Sequence, residues 1–311
     1  MSLIFSSGLT EFLGNAIEPQ VQVDAIGQGA IFGLMAVGIG LVFGVLRLVN
    51  FAYGQLVMAG AFALALASEW DWPVWAGIAL CFAVVLVLSA AMERLVFRPL
   101  RMQSPAVMLV ATFAVAFLLQ SIALLWFGSL GKTAASLAYL NRPVTVADVD
   151  IRKITIVAIV VATVSLGALL ALLTRTTVGL QMRAAAMDFR TARLLGVRAN
   201  RVIGAAVLAS GVLAGIVAVM LTVQSPLVTP NYALRETIVV LAGVVLGGMN
   251  RLGSATLGGF AIGYGSGLLG GALPTAQSQY LPSFLFGLVI LVLLVRPAGL
   301  FTRGPVAVER V

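Results

Sequence analysis

Few side chains in this sequence could carry covalent chemistry, and none are grouped for it. Histidine is absent, which removes the commonest metal ligand and the usual general base at neutral pH. The one cysteine, Cys81, lies in the apolar run LCFAVV and reads as a small buried hydrophobe. It cannot form a disulfide within the chain, and a cysteine-based metal site is not expected. The carboxylates Glu69, Asp71, Glu93, Asp148, Asp150 and Glu236 fall at the ends of apolar runs or between them. A carrier coupled to protons or sodium usually needs a carboxylate near the middle of the membrane, so this placement argues against one. Gly131-Lys132-Thr133 ends like a phosphate-binding loop, but the position five residues before Gly131 is Trp126, not glycine. The chain is therefore expected to hold no metal, no cofactor and no catalytic residue. If ATP is used, a partner binds it.

What remains is neutral and polar. Asn50, Tyr53, Gly54 and Gln55 form one group, and Gln224 and Asn231 form a second, with Tyr232 beside Asn231. Such residues either hydrogen-bond between helices or line a path for a polar solute. Gln120 and Ser121 fit the first use. Asn50, Tyr53, Gly54, Gln55, Gln224 and Asn231 are the candidates for the path, because nearby glycines can expose backbone groups to a cavity.

A third feature is the stretch from Thr174 to Arg201, TRTTVGLQMRAAAMDFRTARLLGVRANR, with six arginines and a single acid, Asp188. It is too polar for lipid, yet it carries short amphipathic turns. Asp188 suits a helix N-cap, and Gly196 suits a left-handed C-terminal stop, so Phe189–Leu195 is expected to form about two turns. Arg190 and Arg193 share a face, and Leu194, Leu195 and Val197 make an apolar knob beside them. Asn200 is expected to cap the next helix. The stretch can dock in a groove on a soluble partner or rest on anionic headgroups.

The elements that position these groups are membrane helices. Of 311 residues, 61% are hydrophobic and 10% charged, with a mean hydropathy of +1.09, whereas a soluble domain has about 25% charged residues. The expected fold is an all-α, polytopic bundle of about 8–10 spans, with about nine crossings. Spans are expected near Asp24–Leu46, Leu48–Ala67, Pro73–Phe97, Ser104–Phe127, Ile154–Leu173, Val202–Val223, Glu236–Met249, Ala255–Gly271 and Phe284–Val295. Leu48–Ala67 and Glu236–Gly271 could each be broken or re-entrant. Residues 1–311 form one domain, with a lead-in over 1–22, an external loop over 128–153 and a cytoplasmic loop over 174–201. No cleavable signal peptide is expected. Val49–Phe62 and Met249–Phe260 share an Asn and two glycines in similar order, which suggests a parallel internal repeat.

Charge orients the bundle. Of 19 Lys and Arg residues, one side holds only Lys132, Arg142, Arg152, Lys153 and Arg235. The richer side should be cytoplasmic, so the net charge of +8 reflects basic loops and not nucleic-acid binding.

Four segments together carry a family resemblance: VNFAYGQLVMAGAF (Val49–Phe62), ERLVFRPLR (Glu93–Arg101), RAAAMDFRTARLLGV (Arg183–Val197) and VVLGGMNRLGSATLGG (Val244–Gly259). In order and spacing they resemble the inner-membrane permease subunits of branched-chain amino acid ABC importers. The resemblance implies a multi-pass protein of the bacterial inner membrane. It also implies a second permease subunit, two cytoplasmic ATPase subunits and an external solute-binding protein. The family's cytoplasmic pattern falls on Arg183, Ala184, Ala186, Asp188, Ala192, Leu194, Leu195, Gly196 and Val197, which implies coupling to the ATPase, with Arg190 and Arg193 within the same loop. The Glu-Ala-Ala motif of other importers is not reproduced. The family often reads N-F-A-H-G-E where this chain has Asn50-Phe51-Ala52-Tyr53-Gly54-Gln55, so two ionisable residues become neutral. Amino acids are the first expectation for the solute. Urea, short amides and aromatic carboxylates are the alternatives within the class. A stand-alone channel for a small neutral solute is the alternative outside it.

The expected orientation is N-terminus outside and C-terminus inside. Protease access to tags on the two ends, in sealed right-side-out vesicles, should remove only the N-terminal tag. Protection of that tag would contradict the topology.

Overall fold

Apolar runs of this length must satisfy every backbone N–H and C=O internally, and the α-helix does so. In the computed structural model, which describes residues 14–46, 49–100, 103–146, 149–187, 189–248, 252–273, 280–296 and 299–300, the chain is a helical bundle with short β pairs at one end. In chain order the helices are α1 (Pro19–Leu46), α2 (Tyr53–Glu69), α3 (Val74–Met92), α4 (Pro105–Phe127), α5 (Lys153–Arg175), α6 (Thr177–Met187), α7 (Phe189–Leu194), α8 (Ala199–Gln224), α9 (Leu234–Gly247), α10 (Leu252–Ala272) and α11 (Leu281–Val295). A π-turn at Glu93–Phe97 and a last helical turn at Arg98–Leu100 extend α3. The strands are β1 (Lys132–Thr133), β2 (Pro143–Val146), β3 (Val149–Arg152) and β4 (Leu227–Val228), paired antiparallel as β1 with β4 and β2 with β3.

Among the described residues, α1, α3 with its extension, α4, α5 and α8 are long and apolar enough to cross a membrane alone. The 17 residues of α2 and 14 of α9 are shorter than a full span requires. Two expected boundaries move. The first helix starts at Pro19, so it takes up the end of the expected lead-in; residues 1–13 lie outside the described part. Arg198, not Asn200, holds the N-cap position of α8, and Asn200 falls within its first turn.

The core is the α1–α10 pair, built from small residues. The two helices run antiparallel with their backbones nearly touching. A Cβ on Gly259 would come 2.2 Å from the Ala36 Cβ, one on Gly263 2.6 Å from Phe32 Cβ, and one on Gly267 2.6 Å from Ala25 Cα. On the other side of α10, α9 packs as closely through Gly243 and Gly247, four residues apart. A Cβ on Gly258 would lie 2.1 Å from Gly243 O and 2.6 Å from Gly247 Cα. In lipid, where no hydrophobic gain separates helix–helix from helix–tail contact, such approach is what favours association. The peripheral helices α3, α4 and α5 bury only 22%, 22% and 17% of their apolar windows, against 83% for α1, so they form the outer wall of the bundle.

One end of the bundle carries both β pairs, the Glu69–Lys132 and Asp24–Arg152 ion pairs, and the Trp70–Trp72 ring pair at 5.4 Å. Tryptophans at this level mark a membrane interface. The opposite end carries Arg98, Arg175, Arg198, Arg201 and Arg296 together with α6 and α7. By the charge rule the first is the end expected outside and the second the end expected in the cytoplasm, and the two are named so below.

The glycine contacts predict an asymmetry. Gly258→Leu should overpack the α9–α10 contact and cost about 1–3 kcal/mol or more. Gly253→Ala, where an added methyl meets nothing within 4 Å, should be neutral or slightly stabilising. Thermal unfolding in detergent, followed by size-exclusion fluorescence, reads both. Equal midpoints for the two variants would contradict the packing.

Candidate translocation path and coupling surface

Two helices begin inside the membrane, and their N-termini meet. After α1, the chain turns back into the bundle. Asn50 Oδ1 accepts from Ala52 N–H at 3.0 Å, a local turn that competes with helix and delays α2 until Tyr53. Thr112 Oγ1 holds the same segment, lying 3.5 Å from both Phe51 N and Val49 O. Thr112 lies two turns into α4, about 10 Å above its cytoplasmic end. The Tyr53 phenol rests on Gly38, where a Cβ would come 2.3 Å from Tyr53 Oη. Gly38 O in turn accepts from Ser210 Oγ at 2.7 Å, midway along α8.

From the external side, the chain leaves β4 and descends to α9. Gln120, two turns below the outer end of α4, donates from Nε2 to Asn231 Oδ1 on the way. The other end of α9 packs against Ser254, near the start of α10. The junction itself is Gly54. A Cβ there would lie 2.3 Å from Thr237 Oγ1 and 3.0 Å from Ala233 O, so only glycine lets α2 meet α9 so closely.

Asn50, Tyr53, Gly54 and Gln55 are thus brought to one place, buried, with side-chain exposures of 1% or less at Asn50, Tyr53 and Gln55. Asn50 Nδ2, Tyr53 Oη and Gln55 Oε1 have no hydrogen-bond partner. Each such group costs about 1–3 kcal/mol when left dry. Gln224 lies instead at the outer end of α8, half-buried, and Asn231 is exposed beside Gln120. The helix–helix role read for Gln120 becomes a helix–loop contact.

Sequence reasoning placed Glu236 at the end of a span and Arg235 in the external loop. Both belong to the first turn of α9, with Glu236 Oε2 buried and unpartnered. The signal was the length of the apolar run after Arg235, which is too short to span. The two segments that echo each other also differ in depth. Both ascend toward the outside, but α2 begins within the membrane and α10 near its cytoplasmic end; residues 249–251 lie outside the described part.

At the cytoplasmic end, α6 folds back under α5. Thr176 Oγ1 accepts from Gly179 N–H at 3.0 Å and starts the helix. A Cβ on Gly179 would meet Leu172 O at 2.2 Å, so the α5–α6 corner is tight. Arg183 is exposed and Ala184 half-buried. Asp188 lies outside the described residues, so its capping role is not placed. Phe189–Leu194 is helical and carries Arg190 and Arg193 on successive turns. Gly196 ends it at φ +89°, with Val197 N–H donating back to Ala192 O at 3.1 Å, as a left-handed stop requires. Leu194 and Leu195 are 88% and 80% exposed, and Met187 is 86% exposed. A cleft of about 320 Å³ separates α6 from the cytoplasmic ends of α1 and α10, lined by Gly40, Gly44, Met182, Arg183, Met187 and Leu252.

Residues 22–294 match the family described as branched-chain amino acid transport system, permease component. The chain is 28% identical over 304 residues to the high-affinity branched-chain amino acid transport system permease protein BraD of Pseudomonas aeruginosa, covering 92% of this chain and 96% of that one. It is 27% identical over 299 residues to the protein of the same description, LivH, of Escherichia coli K12, with the same coverage. Among solved structures, a chain of PsaBC from Streptococcus pneumoniae in complex with Fab aligns with a TM-score of 0.53 and 14% identity, over 93% of this chain and 97% of that one. That likeness concerns the fold alone. With a match that runs from the first long helix to the last, this chain belongs to the family of permease components of branched-chain amino acid transport systems.

Proposed function

We propose that this chain is the membrane subunit of an ATP-driven importer in the bacterial inner membrane, moving a small polar solute, foremost a branched-chain or other amino acid. Residues 1–311 act as one permease domain. Residues 174–201 form its cytoplasmic coupling loop, and residues 128–153 its external loop. The observation that carries this reading is the α6–α7 pair. Leu194, Leu195 and Met187 lie bare at the cytoplasmic end, on a short helix set by Gly196 and flanked by arginines. Apolar side chains exposed to water on such a helix suit a groove on a soluble partner. Arg183, Ala184, Asp188, Arg190, Arg193, Leu194, Leu195, Gly196 and Val197 are the contact we assign to an ATPase subunit. The partner hydrolyses ATP, and this chain makes and breaks no covalent bond.

The lever arm follows from the tight α5–α6 corner and the cleft behind it. A push on α7 moves α6 against the cytoplasmic ends of α1 and α10, and ATP and solute bias two packings of these elements. The path candidates are Asn50, Tyr53, Gly54, Gln55, Gln224 and Asn231. A second permease subunit is supported by Arg235. It is exposed at a level within the membrane, where an arginine faces protein or water and not lipid tails. On the outside, the β1–β4 pair joins the loop after α4 to the loop before α9, making one surface on which a solute-binding protein can dock.

Purification with co-expressed genomic neighbours should recover two ATPase chains. A hot-spot contact contributes about 2 kcal/mol or more, so Leu194→Asp with Leu195→Asp should weaken ATPase association about 30-fold. The pair Arg190→Glu with Arg193→Glu should also reduce it. Unchanged association and uptake in both double variants would refute the coupling role. Solute uptake by the chain alone, in vesicles without ATP, would favour a facilitator.

A further inference from the structure

The outer wall of the bundle holds an apolar groove that no described residue fills. α2 packs along both α3 and α4, while α3 and α4 diverge above the π-turn. The gap between them has a volume of about 490 Å³. Met58, Phe62 and Leu66 of α2 form its floor, Leu88 of α3 and Leu119 of α4 its sides, and Trp126 marks its outer end. By the helical rise, Met58–Leu66 and Leu119–Phe127 each run about 12 Å, most of the hydrocarbon depth of one leaflet, which is half of about 30 Å. That volume over that length gives a bore about 7 Å wide, against about 10–12 Å for a helix with its side chains. The groove is therefore too narrow for a helix of a second subunit, and its shape suits extended acyl chains.

The lining fits the same occupant. Among the described lining residues only Trp126 carries a side-chain N–H or O–H, so water has no partners there. Left empty, the groove would forfeit dispersion contacts along its whole wall. At the outer end the chemistry changes. Glu69 continues the face of Phe62 and Leu66 at helical spacing, and its carboxylate pairs with the Lys132 ammonium. Both partners are partly exposed, and an exposed pair contributes little, so each is free to turn to a charge on a ligand. Together they offer one charge of each sign, which complements a headgroup carrying a phosphate and an ammonium. Trp126, 78% exposed, adds an indole at the level where tails meet headgroups. We propose that this groove is a binding site for one phospholipid of the outer leaflet with a zwitterionic phosphate–ammonium headgroup. The acyl chains lie between α3 and α4, the phosphate at Lys132 and the ammonium at Glu69. Bound there, the lipid completes the packing of α4, whose Thr112 and Gln120 contact the segments that lead into α2 and α9.

The test is native mass spectrometry of the full-length chain, with whatever subunits co-purify, after extensive detergent washing. The probes are phosphatidylethanolamine and phosphatidylglycerol with the same palmitoyl and oleoyl chains, added at equal concentration. The wild type should keep one phosphatidylethanolamine per copy of this chain, at least fivefold more often than phosphatidylglycerol. Ala59→Leu and Ala83→Phe, which fill the groove from α2 and from α3, should each lower that occupancy at least fivefold. Ala114→Phe, at an exposed position of α4 outside the groove, should leave it within twofold. Glu69→Gln, which leaves the Lys132 charge alone, should abolish the preference over phosphatidylglycerol. In the wild type, phosphatidylethanolamine with a diazirine in its chain should label the peptides carrying Phe62 and Leu119, a readout that needs no variant to fold. Labelling confined to other helices would overturn the site. So would lipid lost from the wild type as readily as from Ala59→Leu. Equal retention of the two lipids would overturn the headgroup assignment. Filled variants that keep their lipid but lose a co-purifying subunit would show protein covering the groove, and would overturn the proposal as well.

Discussion

The structure depends on backbones being able to approach one another where there is no water. In hydrocarbon, apolar side chains gain nothing by leaving lipid for protein, so helices hold together by close contact and by hydrogen bonds. The antiparallel α1–α10 pair meets this through Gly259, Gly263 and Gly267, and α9 joins it through Gly243, Gly247 and Gly258. These three helices make a block with little room for adjustment. Because α3, α4 and α8 pack along α2, and α1 and α10 along α9, neither helix start has to face lipid. The same glycines that fix the core therefore permit its one irregular region.

That region and the cytoplasmic helix pair lie at two ends of the same elements. α1 contacts the α2 start at Gly38 and lines the α6 cleft at Gly40 and Gly44. α10 supports α9 along one face and lines the same cleft near Leu252. A displacement of α6 thus has a direct mechanical route to the level of Asn50, Tyr53 and Glu236 through two rigid helices. Coupling in the proposed importer needs no long chain of side-chain rearrangements, only a change in how α1 and α10 sit against their neighbours. The π-turn at Glu93–Phe97, beside Gly204 of α8, is a further place where the wall can bend.

Asn50, Tyr53, Gly54 and Gln55 stood out as polar groups and a glycine amid apolar sequence, and the structure buries all four at the start of α2. Gly196 read correctly as a stop, because a left-handed residue after a short amphipathic turn is a local requirement. Glu236 was placed at the start of its helix, where it is, but the burial of its Oε2 was not legible, because its neighbours in sequence, Arg235 and the polar loop before it, are those of a surface residue. Asn200 was misread as a cap because several residues there could start a helix, and the packing of α8 decided which one does.

The sequence by itself determined the class of the molecule. Apolar run length and composition dictate membrane helices, and arginine distribution sets the orientation to be expected. These properties are local or additive, so they survive without coordinates. The tertiary structure alone decided which helices are long enough to cross by themselves, and that the starts of α2 and α9 meet at Gly54. Depth in the membrane and the pairing of distant segments are set by contacts such as Gly54 on Ala233 and Thr237. No spacing along the chain encodes these, because the partner lies about 180 residues away and could have been any of several similar glycine-rich helices.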